Sequence, residues 1–183
     1  AAEAEEQELK MKDGVVFVDA ISGGVIPREF IPSVQTGVRN AASSGVIGGY
    51  PVINVKVELV YGSYHDVDSS QIAFEQAGAL AFRQACTQAG LGLLEPIMKV
   101  EITTPDEFFG NVSGDLSSRR GHIVESEVRN NVRIIQAEVP LSEMFGYTTV
   151  LRSMTQGRAN SSMEPCEYRL MPERLKEEVL ANQ

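Results

Sequence analysis

The stretch Leu94-Glu95-Pro96-Ile97-Met98-Lys99-Val100-Glu101-Ile102-Thr103-Thr104-Pro105-Asp106-Glu107 decides the fold of the second half of the chain. Met98, Val100 and Ile102 alternate with Lys99, Glu101 and Thr103, the period of two that a half-buried strand requires. Thr104-Pro105-Asp106-Glu107 then caps a helix that runs, with glycines, to about Ser118. His122–Val128 and Val132–Val139 read as two more strands. Arg129-Asn130-Asn131 joins them, a hairpin signal because Asn tolerates positive φ. Ser142–Gln156 reads as a helix with Met144, Tyr147, Leu151 and Met154 along one side. Ala159–Leu170 reads as a last strand, and Pro172 opens a short charged helix, Glu173–Leu180. The order β-α-β-β-α-β is the split βαβ, ferredoxin-like arrangement.

Upstream of this block the rhythm differs, and a domain boundary is expected near Leu93, giving domains over residues 1–93 and 94–183. Residues 1–9 (AAEAEEQEL) read as a solvated lead-in. Val15–Val18 is a short strand after the turn-former Asp13-Gly14. Pro27 suits the first turn of a helix, along which Phe30, Ile31, Val34, Val38 and Ala41 recur at three- and four-residue steps. That helix ends near Gly45. Ile53, Val55, Val57, Leu59 and Tyr61 form a strongly alternating strand. Asp68 offers a helix N-cap with Gln71 three residues on. The apolar face from Ile72 to Cys86 follows and stops near Gly90. This first half is β-α-β-α, a sheet layer covered by two helices, so the chain as a whole is α+β.

Composition narrows the function. The 183 residues carry a net charge of −9. Residues 1–93 hold six basic and eleven acidic side chains, and residues 94–183 hold ten and fourteen, so neither half is basic. This argues against a generally sticky nucleic-acid binder, and any RNA contact must be local or supported by the rest of a larger protein. No apolar run approaches the roughly 18 residues of a membrane span, and the acidic start does not read as a signal peptide. Cys86 and Cys166 have no ligand-like spacing and read as small core or strand residues of a reducing compartment. His65 and His122 make no His-rich metal site. There is no GxxxxGK[ST], GxGxxG after a strand, HExxH, CxxC or GxSxG. No catalytic residue and no metal site is expected.

Three segments remain as binding candidates. Tyr61–Ser70 packs tyrosines, a histidine, aspartates and serines between a strand and a helix, a composition suited to inserting among bases or backbones. Arg119-Arg120 is the only doubled basic site and suits a bidentate phosphate contact; a helix C-terminus complemented by cations is the alternative. Leu141–Tyr147 reads as the start of a helix with an aromatic surface turn at Phe145 and Tyr147, with simple packing as its alternative.

At these residues a resemblance emerges. Gly23–Pro32 (GGVIPREFIP), Gly49-Tyr50-Pro51-Val52, Gly62–Ser70 (GSYHDVDSS), Leu94–Glu101 (LEPIMKVE), Gly114-Asp115-Leu116, Arg119-Arg120-Gly121, Ala137–Tyr147 (AEVPLSEMFGY), Leu151-Arg152-Ser153 and Thr155–Arg158 occur in this order. They resemble the C-terminal part of bacterial translation elongation factor G, over roughly residues 15 to 180. The resemblance implies part of a fourth domain, with the fold of ribosomal protein S5 domain 2 and a left-handed βαβ crossover, followed by a ferredoxin-like fifth domain. It implies an arm whose tip, with Tyr64, His65, Asp66, Val67, Asp68 and Ser69, reaches transfer and messenger RNA in the decoding region. The fifth domain would dock at the large-subunit stalk base. Arg119, Arg120, Phe145 and Tyr147 are further expected contacts with ribosomal RNA or protein. GTP and Mg belong to a domain with no counterpart in these residues. The family's Gly- and Arg-rich QSGGRGQYG-type tip loop has no counterpart either. These residues are therefore expected to be no enzyme, to act in the cytoplasm as a monomer, and to touch no membrane. The tail of a ribosomal protection protein, or a free-standing ribosome-binding module derived from the translocase, are the alternatives.

Overall fold

The structure, a computed structural model, describes residues 14–182; the acidic lead-in expected over residues 1–9 lies outside them. Two compact units form. One runs through Leu91 and takes in the residues from Glu178, and the other is Gly92–Glu177.

In the first unit, β1 (Val15–Asp19), α1 (Ile31–Ser44), β2 (Val55–Leu59) and α2 (Gln71–Ala89) follow in order. β1 and β2 pair in parallel, from Val15 opposite Val55 to Asp19 opposite Leu59. Parallel neighbours need a long crossover, which α1 provides. A 3-10 turn, Arg28–Phe30, feeds α1, whose first turn accepts Pro32 because that position has no helical N–H to lose. β2 is shorter than the alternation Ile53–Tyr61 suggests. Asn54 sits at φ 59° just before it, and left-handed backbone cannot continue a ladder. The α2 cap is Ser70 rather than the expected Asp68: its hydroxyl accepts a hydrogen bond from the Ala73 N–H at 3.1 Å.

α1 and α2 approach closely where they lack side chains. A Cβ on Gly37 would lie 1.9 Å from the Glu75 carbonyl oxygen, and one on Gly78 would lie 2.7 Å from that of Val34. Val15, Val38, Ala41, Ala42, Val52, Phe82 and Cys86 form one buried cluster, and Ile26, Val34 and Phe74 form another. An open apolar groove of about 550 Å³ runs along β2 and α2, with Val57, Leu59, Phe82 and Ala85 in its lining.

In the second unit, β3 (Leu94–Pro105), α3 (Phe109–Ser118), β4 (His122–Arg129), β5 (Val132–Pro140), α4 (Tyr147–Met154) and β6 (Asn160–Leu170) build an antiparallel sheet ordered β4-β5-β3-β6. This is the ferredoxin-like order expected, and the α+β class holds. α5 (Glu173–Ala181) follows. Val100, Ile102, Ile135, Ala137 and Val139 of the central strands are fully buried against Val112 and Leu116 of α3 and Leu151 of α4. Each large side chain among them contributes about 1.5–3 kcal/mol of burial free energy. The hairpin turn places Asn130 at φ 52° and Asn131 at φ 63°, the left-handed pair of a type I′ turn.

Three expectations change. Thr104-Pro105-Asp106-Glu107 supplies no side-chain cap: Thr104 and Pro105 end β3, Asp106–Phe108 forms a 3-10 turn, and α3 starts only at Phe109. β3 begins at Leu94, four residues before the alternation, because Pro96 still pairs opposite Tyr168 on β6. The helix expected over Ser142–Gln156 is broken. A 3-10 turn spans Leu141–Glu143, and Gly146, at φ 72°, interrupts the chain before α4 starts at Tyr147.

Candidate nucleic-acid interface

Between Leu59, where β2 ends, and Gln71, where α2 starts, the chain forms the polar loop singled out above. Its backbone is closed on itself around His65. The His65 N–H donates to the Ser69 hydroxyl at 3.0 Å. The N–H groups of Ser69 and Asp68 donate to the His65 carbonyl at 3.0 and 3.2 Å. Ser69 and Ser70 thus have separate tasks, one closing the loop and the other capping the helix. Main-chain groups bonded within the loop need no partner elsewhere, so the conformation can stand at the surface.

Tyr64, His65, Asp66, Val67 and Asp68 are all exposed, and Ser69 is half-buried. Val67 is 93% exposed and Tyr61 is 74% exposed, a cost the loop bears with apolar groups in water. Tyr64 is more restrained. Its ring stacks on Phe30 with centroids 5.8 Å apart, and Phe30 stacks on Phe74 at 4.7 Å. A hydrogen bond with Asp66 pushes the Tyr64 phenol above its ordinary range, with smaller contributions from burial and from the charges of Asp66 and Glu29. The loop presents an imidazole, hydroxyls and an aromatic ring together, groups that stack on bases and hydrogen-bond their edges. Asp66, Asp68 and Glu29 make it a poor phosphate binder.

Sequence reading misses the support beneath this loop. Periodicity places Phe30 on a helix face and gives Ile26 no role. In the structure Ile26 is 3% exposed and packs over Gly62, where an added Cβ would lie 2.4 Å from Ile26 Cδ1. The signal lies in Gly23-Gly24-Val25-Ile26-Pro27. Both glycines take positive φ, and the turn they make sets the course of the segment that follows.

The other candidates lie in the second unit and differ in kind. Arg119 donates from Nε to Asp115 Oδ2 at 2.8 Å and from Nη1 to the Glu143 carbonyl at 2.5 Å, and its guanidinium lies 5.0 Å from the centroid of the Tyr147 ring. Arg120 donates to Glu95 through both terminal nitrogens, at 2.7 and 2.9 Å, and to Glu143 through Nε at 3.1 Å. These bonds, that to Glu95 above all, drive the Arg120 pKa further up. The carboxylates hold the donors that a phosphate would need. Phe145 is 78% exposed, whereas Tyr147 is 2% exposed, so the expected surface turn has one aromatic outside and one in the core. Burial also pushes the Tyr147 phenol up, and its hydroxyl has no hydrogen-bond partner among the described residues.

No group of three or more His, Cys, Asp or Glu side chains is placed to hold a metal ion among the described residues. No helix among them is long and apolar enough to cross a membrane. The 183 residues contain no GxxxxGK[ST] loop, so a phosphate cradle of that type is not built here.

Comparison with known proteins accounts for both units. Residues 3–90 match the family described as elongation factor G, domain IV, and residues 92–179 match the elongation factor G C-terminus. A crystal structure from Thermus thermophilus is 36% identical in sequence and superposes with a TM-score of 0.79. The match covers 92% of this chain and 26% of that one, so this chain spans about a quarter of the length of its solved relative. The two family matches meet at the junction of the two folded units, and the chain belongs to the elongation factor G family, carrying its domain IV and its C-terminal domain.

Proposed function

We propose that this chain is the ribosome-reaching portion of a GTP-driven translocase, which moves transfer and messenger RNA during elongation. GTP and magnesium would be bound by another part of the protein, where hydrolysis supplies the driving force. The observation that carries the reading is the self-bonded loop around His65. It holds an imidazole, hydroxyls and an aromatic ring outward on a backbone that needs no outside partner. Such a loop enters a crowded RNA site without refolding. His65, Asp66 and Ser69 then contact bases or backbone of the transfer and messenger RNA in the decoding region. Tyr64, Val67 and Asp68 shape the same tip.

The C-terminal domain docks on ribosomal RNA and proteins at the large-subunit stalk base. Phe145 is the better candidate for that contact because its ring is exposed. Arg119, Arg120 and Tyr147 serve the fold of their own unit in this reading, since their side chains are paired or buried. The chain works as a monomer in the cytoplasm, without a membrane.

The test is His65→Ala in the full-length protein that carries this sequence, with translocation and GTP hydrolysis both timed on ribosomes. Translocation is expected to slow much more than hydrolysis. Equal slowing of both would remove His65 from the step that moves RNA.

A further inference from the structure

We propose that Phe30 is a positioning residue for the loop tip, acting through Tyr64 and never touching RNA itself. The inference rests on the reading of the loop as the RNA-contacting tip. The rings of Phe74, Phe30 and Tyr64 form a continuous stack, with centroid separations of 4.7 and 5.8 Å and interplanar angles of 19° and 30°. Burial falls along it. Phe74 is 8% exposed in the core, Phe30 is half-buried, and Tyr64 is 39% exposed on the loop. The stack therefore anchors a surface residue to the core through one intermediate ring.

Tyr64 immediately precedes His65, whose main chain is gripped from the other side by Ser69. With its neighbour stacked and its own N–H and carbonyl bonded, the His65 backbone has little freedom, and its ring leaves the loop in a narrow range of directions. Ile26 over Gly62 gives the same upstream segment a second hold on the loop. Holding a contact group in its bound geometry lowers the ordering cost when RNA is met. Phe30 supplies that hold through ring stacking, a directional contact that an aliphatic side chain of similar size does not replace.

The test uses Phe30→Leu, Tyr64→Leu and the double variant, which keep apolar bulk and remove the stack, with Phe30→Tyr as the variant that keeps it. On the 183-residue chain, amide hydrogen exchange of His65, Asp68 and Ser69 is read by NMR. Each leucine variant is expected to speed exchange at these amides about fivefold. The double variant should go no further than Tyr64→Leu alone, and Phe30→Tyr should match the parent. Unchanged exchange in Phe30→Leu would overturn the proposal, as would a double variant equal to the product of the singles.

In the full-length protein on ribosomes, Phe30→Leu is expected to slow translocation severalfold, and Phe30→Tyr to restore it. Faster loop exchange with unaltered translocation, in a protein where His65→Ala is slow, would overturn Phe30 alone. A fast His65→Ala would overturn the tip reading itself and Phe30's positioning role with it, while the exchange result would still report the stack.

Discussion

Arg120 holds φ 58°, unusual for a residue with a side chain, and it does so with all three guanidinium nitrogens hydrogen-bonded. Glu95, its principal partner, is 5% exposed. Removing Arg120 leaves that carboxylate buried without its cation, a situation that costs about 3–5 kcal/mol when both partners are fully buried. The Arg120 side chain is 29% exposed, so Arg120→Ala is expected to cost about 2 kcal/mol in urea unfolding. Arg120→Lys should recover only part, since an ammonium cannot reproduce the two-pronged bond to Glu95. No loss of stability in Arg120→Ala would mean that the cluster contributes nothing net. Tyr147 poses the opposite case, a buried hydroxyl with no hydrogen-bond partner among the described residues. Tyr147→Phe should raise stability by about 1 kcal/mol at neutral pH. Because burial raises the phenol, the folded state keeps its proton to higher pH than the unfolded chain. Tyr147's contribution is therefore complete below about pH 10, the unfolded value, and is lost as pH rises through the folded one. Tyr147→Phe should flatten that alkaline decline. A destabilised phenylalanine variant would show that the hydroxyl does have a useful partner.

At the scale of elements, the two helices of the first unit meet through glycines. Gly37→Ala would set a methyl group 1.9 Å from a carbonyl oxygen of the facing helix, which must then move. A loss of about 3 kcal/mol is expected in thermal or urea unfolding. A neutral variant would show that α1 and α2 can slide apart freely. Sequence periodicity locates nearly every element here, because amphipathic spacing reports which face is buried. It finds β2, β3 and α1 from Val57, Val100 and Val38. It finds α2 over Ile72–Cys86 but misplaces part of its face: Ile72 and Leu80 are exposed, while Phe74, Gly78, Phe82 and Cys86 are buried, one turn apart on a narrower stripe. It fails where a single backbone torsion decides the outcome. Asn54 shortens β2, and Gly146 breaks a helix that Met144, Tyr147 and Leu151 spell out well, since all three still reach the core. The candidate loop is legible from its composition and from resemblance. Its support by Phe30 is not, because stacking between residues 34 positions apart leaves no local period. The pairing of Arg120 with Glu95 is hidden for the same reason.

At the scale of the whole molecule, a net charge of −9 acts against unspecific attraction to RNA. The 183-residue chain is expected to show no measurable binding to unstructured RNA at physiological salt, by fluorescence anisotropy. Tight, salt-sensitive binding would place the contact on a basic surface and away from the loop. The second unit has its own core, in which Val100, Ile102, Val112, Leu116 and Ile135 are each 0% exposed. Under the proposed function, what this chain needs for RNA is geometry at one tip, supplied with rigid support. The most direct measurement is the location of that tip on the ribosome. Val67, 93% exposed and beside His65, is replaced by cysteine in the full-length protein after its native cysteines are removed, and it carries an iron chelate that cleaves nearby RNA. Cleavage of decoding-region RNA in the ribosome-bound state is the result expected. Cleavage confined to other parts of the ribosome would contradict the assignment of this loop to the RNA-contacting tip.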